Sequence, residues 1–469
     1  MGIIQQIQSW WGDKADENKI NLLLTIFNSN LNNDKEIKMI IRTVKELFMK
    51  NKYNKNELSK LIDKYLIPQE LEKKTNAEVS TPYSLRKDML DKMPQEFWTK
   101  QNTVFEPCSG KGGFVIDIID RFMNGLKDKY PEEKKRYKVI VEKLLYFSDI
   151  NNTNIFICKL LIDPKNKYKL NYNEGNTLEL NIKEKWGLDG FDAVIGNPPY
   201  NSSGNTGTGN TIWQLFTKKS LNEWLLDNGY LLYVHPPGWR KPNTIKGKFY
   251  GLFELMTQEN QMIYLSIHGI KDGQTTFNCG TRYDWYLIEK KKKYKDTIIL
   301  DEEKKVSKYN LNNFEWLGNS NINLIEKLIS KNNNCNILCD FSYSRLDKKI
   351  ISKIKTDEFK YPLIYLTPSK GVRYMYSKVN NKGHYKIPKV IIGETGIKNA
   401  INDYDGKYGM TQDSFGILIN NKNEGEQILK AITSLNFINF IKKSCSWSNF
   451  RIDYRLFKNF KKDFWKEFI

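Results

Sequence analysis

Asn197-Pro198-Pro199-Tyr200 directly follows the run Phe191-Asp192-Ala193-Val194-Ile195-Gly196. That is the composition of a buried strand that ends abruptly and delivers an amide, two rigid rings and an aromatic face to one place. Proline has a fixed φ and no N–H, so Pro198 and Pro199 lie just past the strand end. The Asn197 side-chain oxygen and the Pro198 carbonyl then offer two acceptors suited to the hydrogens of an NH2 group. Tyr200 offers a flat surface on which a planar ring can stack. The same residues also suit a plain strand-terminating turn, so a second signal is needed.

The second signal lies upstream, in Thr103-Val104-Phe105-Glu106-Pro107-Cys108-Ser109-Gly110-Lys111-Gly112-Gly113-Phe114. A short apolar strand runs into a glycine-rich turn and then into the periodic run Val115, Ile116, Ile118, Ile119. Glycines at the mouth of a first strand let the backbone approach a nucleotide-like ligand at a helix N-terminus. The turn is not a phosphate-cradling Walker loop, because Phe105 replaces its first glycine and Gly112 its hydroxyl residue. Its pattern, (D/E)-P-x-x-G-x-G-G, resembles motif I of S-adenosylmethionine-dependent methyltransferases, with Glu106 as the acidic member. Asn197 to Tyr200 resembles motif IV of the amino methyltransferases, which methylate exocyclic amines of bases. The resemblance implies S-adenosylmethionine as cofactor, held by Phe105, Glu106, Pro107, Ser109, Gly110, Gly112 and Asn197.

Further positions extend it. Asp149 lies just beyond the apolar run Leu144-Leu145-Tyr146-Phe147, where a carboxylate can accept hydrogen bonds from both ribose hydroxyls; a solvated loop aspartate is the alternative. By resemblance Asp149 is the motif II acid, Ile150 packs on the cofactor adenine, and Asn176 stands where the family usually has an aspartate contacting the adenine amino group. Thr81-Pro82 opens a helix with apolar Leu85, Met89, Leu90 and Met93, and is similar to motif X, which closes over the methionine end. Phe277, before the strand-like Tyr283–Ile288, falls in a stretch that looks like motif VIII. It is the candidate second aromatic face on the target base, with core packing as its rival. The order X, I, IV resembles the gamma class of DNA adenine-N6 methyltransferases, in particular the Eco57I-like restriction-modification methylases. The implied reaction is methyl transfer to adenine N6 in duplex DNA by base flipping, with Asn197, Pro198, Pro199 and Tyr200 at the reacting amine. Cytosine N4 stays open, although Asn at the first motif IV position favours adenine.

These positions require a doubly wound sheet. The expected fold is α/β: a Rossmann-like class I methyltransferase sheet over 76–295, an N-terminal helical segment over 1–75, and a C-terminal α+β target-recognition domain over 296–469. Ile37, Ile40, Ile41, Val44, Leu47 and Phe48 recur at helical spacing in the first segment. The stretch Ser202 to Asn210, rich in Gly, Ser, Thr and Asn, reads as a mobile loop. The run Glu289-Lys290-Lys291-Lys292-Lys293 reads most simply as a solvated linker, with phosphate contact as the alternative. Basic residues interleaved with aromatics at Arg240, Lys241, Arg373 and Arg451 suit DNA contact, though Arg240 and Lys241 fit a solvated turn equally well.

Composition agrees with a polyanionic partner. The chain has 469 residues, with 74 Lys and Arg against 54 Asp and Glu, a formal charge of +20. Part of this reflects the abundance of Lys, Asn and Ile expected of an AT-rich coding genome. The 6 cysteines form no C-x-x-C pair and the 3 histidines leave a metal site little to build on. No metal is therefore expected. There is no apolar run of about twenty residues and no signal peptide, so no membrane partner and a cytoplasmic location are expected. Double-stranded DNA is the expected partner and a companion restriction endonuclease a further one, while no segment suits a nuclease domain in this chain. A methylation subunit needing a separate specificity partner, an RNA base methyltransferase and a protein glutamine methyltransferase remain as alternatives.

Overall fold

The computed structural model describes residues 79–163, 167–202, 211–292, 295–339, 341, 343, 348–447 and 452–469. The helical segment expected over 1–75, the loop at 203–210 and Arg451 lie outside the described residues.

Nine strands form the main sheet: β1 (Val104–Glu106), β2 (Leu145–Asp149), β3 (Asn171–Glu174), β4 (Phe191–Gly196), β5 (Leu225–His235), β6 (Gln261–His268), β7 (Tyr283–Glu289), β8 (Thr297–Leu300) and β9 (Val306–Tyr309). Their order is β3-β2-β1-β4-β5-β7-β6-β8-β9. Strands β1 to β5 pair in parallel, while β7 runs antiparallel between β5 and β6. This is the Rossmann-like sheet expected from the motifs. Its strand order reverses between β1 and β4, and the crevice beyond the carboxyl ends of those two strands is where open α/β sheets take ligands.

Alternation along the strands sorts side chains between two cores. Val104, Leu145, Phe147, Ala193 and Ile195 join one cluster with α1 (Tyr83–Leu90) and α2 (Gly113–Gly125). In α2, Val115, Ile116, Ile118, Ile119 and Phe122 are all buried, which is the amphipathic face read from their spacing. On the opposite face, Phe105 stacks on Phe191 at 4.9 Å and meets Trp186 and Trp224 edge-on.

Packing divides the chain into two units. One comprises the residues through Trp239, Gly251–Leu300 and Lys304–Leu311; the other comprises Arg240–Tyr250, Asp301–Glu303 and Asn312–Ile469. The boundary expected after residue 295 is displaced because Thr297–Leu300 pairs in parallel with β6 and in turn carries β9. The lysine run therefore sits between strands of one sheet, and its first member, Glu289, is buried at the end of β7.

In the second unit, β10 (Ile337–Cys339), β17 (Ser414–Leu418), β14 (Lys389–Gly393) and β15 (Gly396–Asp403) make one four-stranded sheet. A second consists of β11 (Ile351–Ser352), β13 (Arg373–Ser377), β12 (Tyr361–Leu366) and β16 (Gly409–Met410). Helices Lys422–Thr433 and Leu435–Ser444 follow, capped by Asn421 and Ser434 side chains that accept from Glu424 and Phe437 amides. The α+β character expected of this region is present.

Candidate active site

The loop after β1 is built by its own backbone. The Ser109 amide donates to the Ser148 carbonyl at 2.9 Å, and the Gly112 amide donates to the Ser109 carbonyl at 2.9 Å. Gly110 and Gly112 have φ of 50° and 90°, a left-handed conformation that glycine adopts without steric cost. At Gly112 a Cβ would also stand 3.1 Å from the Cys158 sulfur. The turn then feeds directly into the first turn of α2.

Asp149, at the end of β2, braces this loop. Its Oδ2 accepts from the Gly110 amide at 2.8 Å, and its Oδ1 accepts from the Asn151 amide at 2.8 Å and Asn154 Nδ2 at 3.2 Å. Beside it Ile150 is 62% exposed and lines the adjoining cavity.

That cavity has a volume of about 360 Å³, within the range of small-molecule sites. Thr81, Glu106, Pro107, Ser109, Gly110, Asp149, Ile150, Asn176, Asn197, Pro198, Pro199 and Tyr200 all line it. Residues from across more than a hundred positions of sequence thus line one cavity.

Three buried polar groups indicate what the cavity takes. Glu106 is 2% exposed and its Oε2 has no hydrogen-bond partner. Burial pushes its carboxyl well above the ordinary carboxylate value, and nearby Arg86 pulls the other way. A ligand carrying an ammonium group would complete it. The Asn197 Nδ2 donates to the Val79 carbonyl at 3.1 Å, while Oδ1 is buried and makes no hydrogen bond of acceptable geometry. The Tyr200 hydroxyl is likewise buried beside it, and burial raises its pKa, so the phenol stays protonated. These features fit an amino-acid-bearing nucleoside and a second, amine-bearing ligand.

Other expected residues stand elsewhere. Phe105 does not line the cavity: in a strand neighbouring side chains point to opposite faces, so with Glu106 facing the site Phe105 enters the aromatic core behind it. Gly112 shapes the loop without lining the cavity. Phe277, the last residue of the helix Ile270–Phe277, packs edge-on against Tyr283 at 4.8 Å and does not line the cavity either. Asn176 lines it, but its amide caps a turn, accepting from the Leu178 amide and donating to Glu179. Arg86, Lys111 and Phe216 also line the cavity, and no motif had singled them out.

The basic residues divide similarly. Arg240 is fully buried, donating to the carbonyls of Leu317 and Gly318 and to Asn319 Oδ1. It serves the interior of the second unit and is not available to a duplex. Lys241 is half-buried over the Phe249 ring, and burial lowers its ammonium pKa. Arg373 is exposed on β13. Among the described residues no group of three or more His, Cys, Asp or Glu could hold a metal ion, and no helix is long and apolar enough to cross a membrane.

Residues 58–224 match the family model for N-6 DNA methylase. The chain is similar to an uncharacterized adenine-specific methylase of Mycoplasma pneumoniae, 25% identical over 259 residues that take in 39% of this chain and 58% of that protein. It thus spans somewhat over half the length of that curated relative. Among solved structures it is similar to the type IIL restriction-modification enzyme MmeI in complex with DNA, at 11% identity and a TM-score of 0.46, covering 90% of this chain and 67% of that one. The type IIG restriction endonuclease BpuSI is also similar, at 10% identity and a TM-score of 0.41, covering 88% of this chain and 63% of that one.

Proposed function

We propose that this chain is a DNA methyltransferase that uses S-adenosylmethionine to methylate adenine N6 at specific sites in duplex DNA, as part of a restriction-modification system. The observation that carries the reading is that Asn197, its Nδ2 held by the Val79 carbonyl and its Oδ1 buried beside Tyr200, lines the same cavity as the glycine-rich loop.

The chemistry follows from the substrate amine. The lone pair of adenine N6 is delocalised into the ring, and acceptors on its hydrogens stabilise the positive charge that grows as the nitrogen attacks. Asn197 Oδ1 and the Pro198 carbonyl take that role. N6 is hidden inside a duplex, so the base is flipped out and Tyr200 replaces one stacking partner. When bound, the cofactor supplies an electrophilic sulfonium methyl group. Glu106 holds its amino group, Asp149 its ribose and Ile150 its adenine, so that transfer depends on positioning. The proton then leaves to water.

Double-stranded DNA is the substrate in this reading, a cytoplasmic enzyme the setting, and a companion endonuclease the activity against which methylation protects. The second unit reads the target, with Arg373 among its contacts. The decisive experiment incubates the protein with S-adenosylmethionine and mixed-sequence unmethylated DNA and identifies methylated nucleosides by mass spectrometry. N6-methyladenine, absent with Asn197→Ala, is expected. Absence of any methylated DNA base with the wild type would overturn the reading for the chain acting alone.

A further inference from the structure

Arg86 is only 2% exposed, yet it lines the cavity. Its Nε donates to Asp117 Oδ2 at 2.6 Å and its Nη1 donates to the Thr81 carbonyl. These bonds fix the plane of the guanidinium between α1 and the first turns of α2. The first residue of α2 leaves room for it: a Cβ at Gly113 would stand 2.8 Å from Nη1 and 2.9 Å from Cζ.

The Glu106 carboxylate lines the same cavity with Oε2 buried and unpartnered. A guanidinium and a carboxyl group lining one cavity are complementary to the carboxylate and ammonium of a zwitterion, the ammonium drawing the proton-free form of Glu106. Clamping α1 to α2 would not by itself call for this arrangement, because a buried ion pair stabilises a fold no better than a well-packed apolar pair. Arginine is also the side chain whose planar fork best matches a carboxylate.

We propose that Arg86, held by Asp117 and given room by Gly113, recognises the α-carboxylate of the bound ligand's amino-acid group, with Glu106 taking the ammonium. This deepens the reading of the cavity as an S-adenosylmethionine site and rests on it. Arg86 thereby sets selectivity for a nucleoside that carries an intact amino acid over one that has lost its carboxylate.

The test compares two ligands by titration calorimetry on the full chain. One is S-adenosylhomocysteine; the other is S-adenosyl-3-thiopropylamine, the same molecule without the carboxylate. Wild type is expected to prefer the first by roughly ten- to a hundredfold, the range of charge-assisted hydrogen bonds. In Arg86→Gln the preference falls to within about threefold, and Arg86→Lys restores part of it, because a lysine keeps the charge but not the fork. Gly113→Ala provides a second route, since alanine favours the helix while its methyl group displaces the guanidinium; it too lowers the preference. Should Arg86→Gln fail to fold, Gly113→Ala carries the comparison. Equal binding of both ligands by wild type, or an undiminished preference in the variants, would overturn the role of Arg86 alone. Wild type that binds neither ligand would remove the cofactor reading itself.

Discussion

The Asn197 amide and the Val79 carbonyl are joined across 118 positions of sequence by a 3.1 Å hydrogen bond. A carbonyl only accepts, so Nδ2 must face Val79 and Oδ1 must point away from it. The segment entering α1 thus decides which way the amide is turned.

Asn197→Ala removes the acceptor, and Asn197→Asp keeps an acceptor but loses the donor to Val79. Both are expected to lower the single-turnover methylation rate, by at least about 10²–10³-fold for alanine, the scale of one preorganised polar contact to a transition state. Binding of S-adenosylhomocysteine, measured by calorimetry, should change only a few fold. An equal collapse of ligand affinity would instead place Asn197 at the cofactor.

Glu106 carries a pH signature. Burial lifts its folded-state pKa well above the ordinary value of 4.5, so the folded protein holds a proton that the unfolded chain releases. Stability of the ligand-free protein should therefore decline as pH rises from about the unfolded pKa towards the folded one, and level off above it. Glu106→Gln should remove that decline in denaturant titrations across pH. Ligand binding runs oppositely: pairing with an ammonium requires the carboxylate, so affinity should rise with pH in wild type and lose that dependence in Glu106→Gln.

Much of the site was legible in sequence because its chemistry is local. Pro198 and Pro199 end β4, Gly110 and Gly112 fold the loop after β1, and Asp149 closes β2, each within a few residues of a strand that hydrophobic patterning reveals. Phe105 was misplaced since a motif lists neighbours together while a strand sends them to opposite faces. Arg86 was missed for another reason: its partner Asp117 lies 31 residues away, on a different helix. Arg240 looked like a surface cation because the carbonyls it satisfies lie 77 and 78 residues downstream. The last two strands of the sheet, β8 and β9, are hidden by the lysine run before them, which resembles a linker in composition.

His235, at the end of β5, stacks on Trp213 at 3.9 Å and is fully buried. Its Nδ1–H donates to the Pro236 carbonyl at 2.9 Å, which leaves Nε2 to accept from the Tyr286 hydroxyl at 2.8 Å. Burial lowers its pKa from 6.5 to about 3, so the fold contains the neutral ring. The stability this confers is complete above pH 6.5 and is lost as pH falls towards 3, at up to about 1.4 kcal/mol per pH unit for one proton. His235→Gln should flatten that portion of the acid dependence, and the difference between the two denaturation curves isolates it. Parallel acid profiles for wild type and variant would show that the ring protonates without cost.

Arg240 and Arg373 should part company. Replacing Arg240 with methionine strands the Gly318 carbonyl and Asn319 Oδ1 inside the second unit, while the Leu317 carbonyl keeps the Trp447 indole N–H; each unsatisfied buried group costs about 1–3 kcal/mol. Its unfolding midpoint in denaturant should therefore fall. Arg373 is exposed, so Arg373→Ala should leave that midpoint unchanged. If Arg373 meets a phosphate, the alanine variant weakens duplex binding about equally across sequences and reduces the slope of log K against log salt by about one. A loss confined to particular sequences, with the slope unchanged, would instead place Arg373 at a base edge, where one bidentate contact discriminates by about 1–3 kcal/mol. Fluorescence anisotropy at several salt concentrations separates the two, and unaltered binding would exclude Arg373 from the DNA-facing surface altogether.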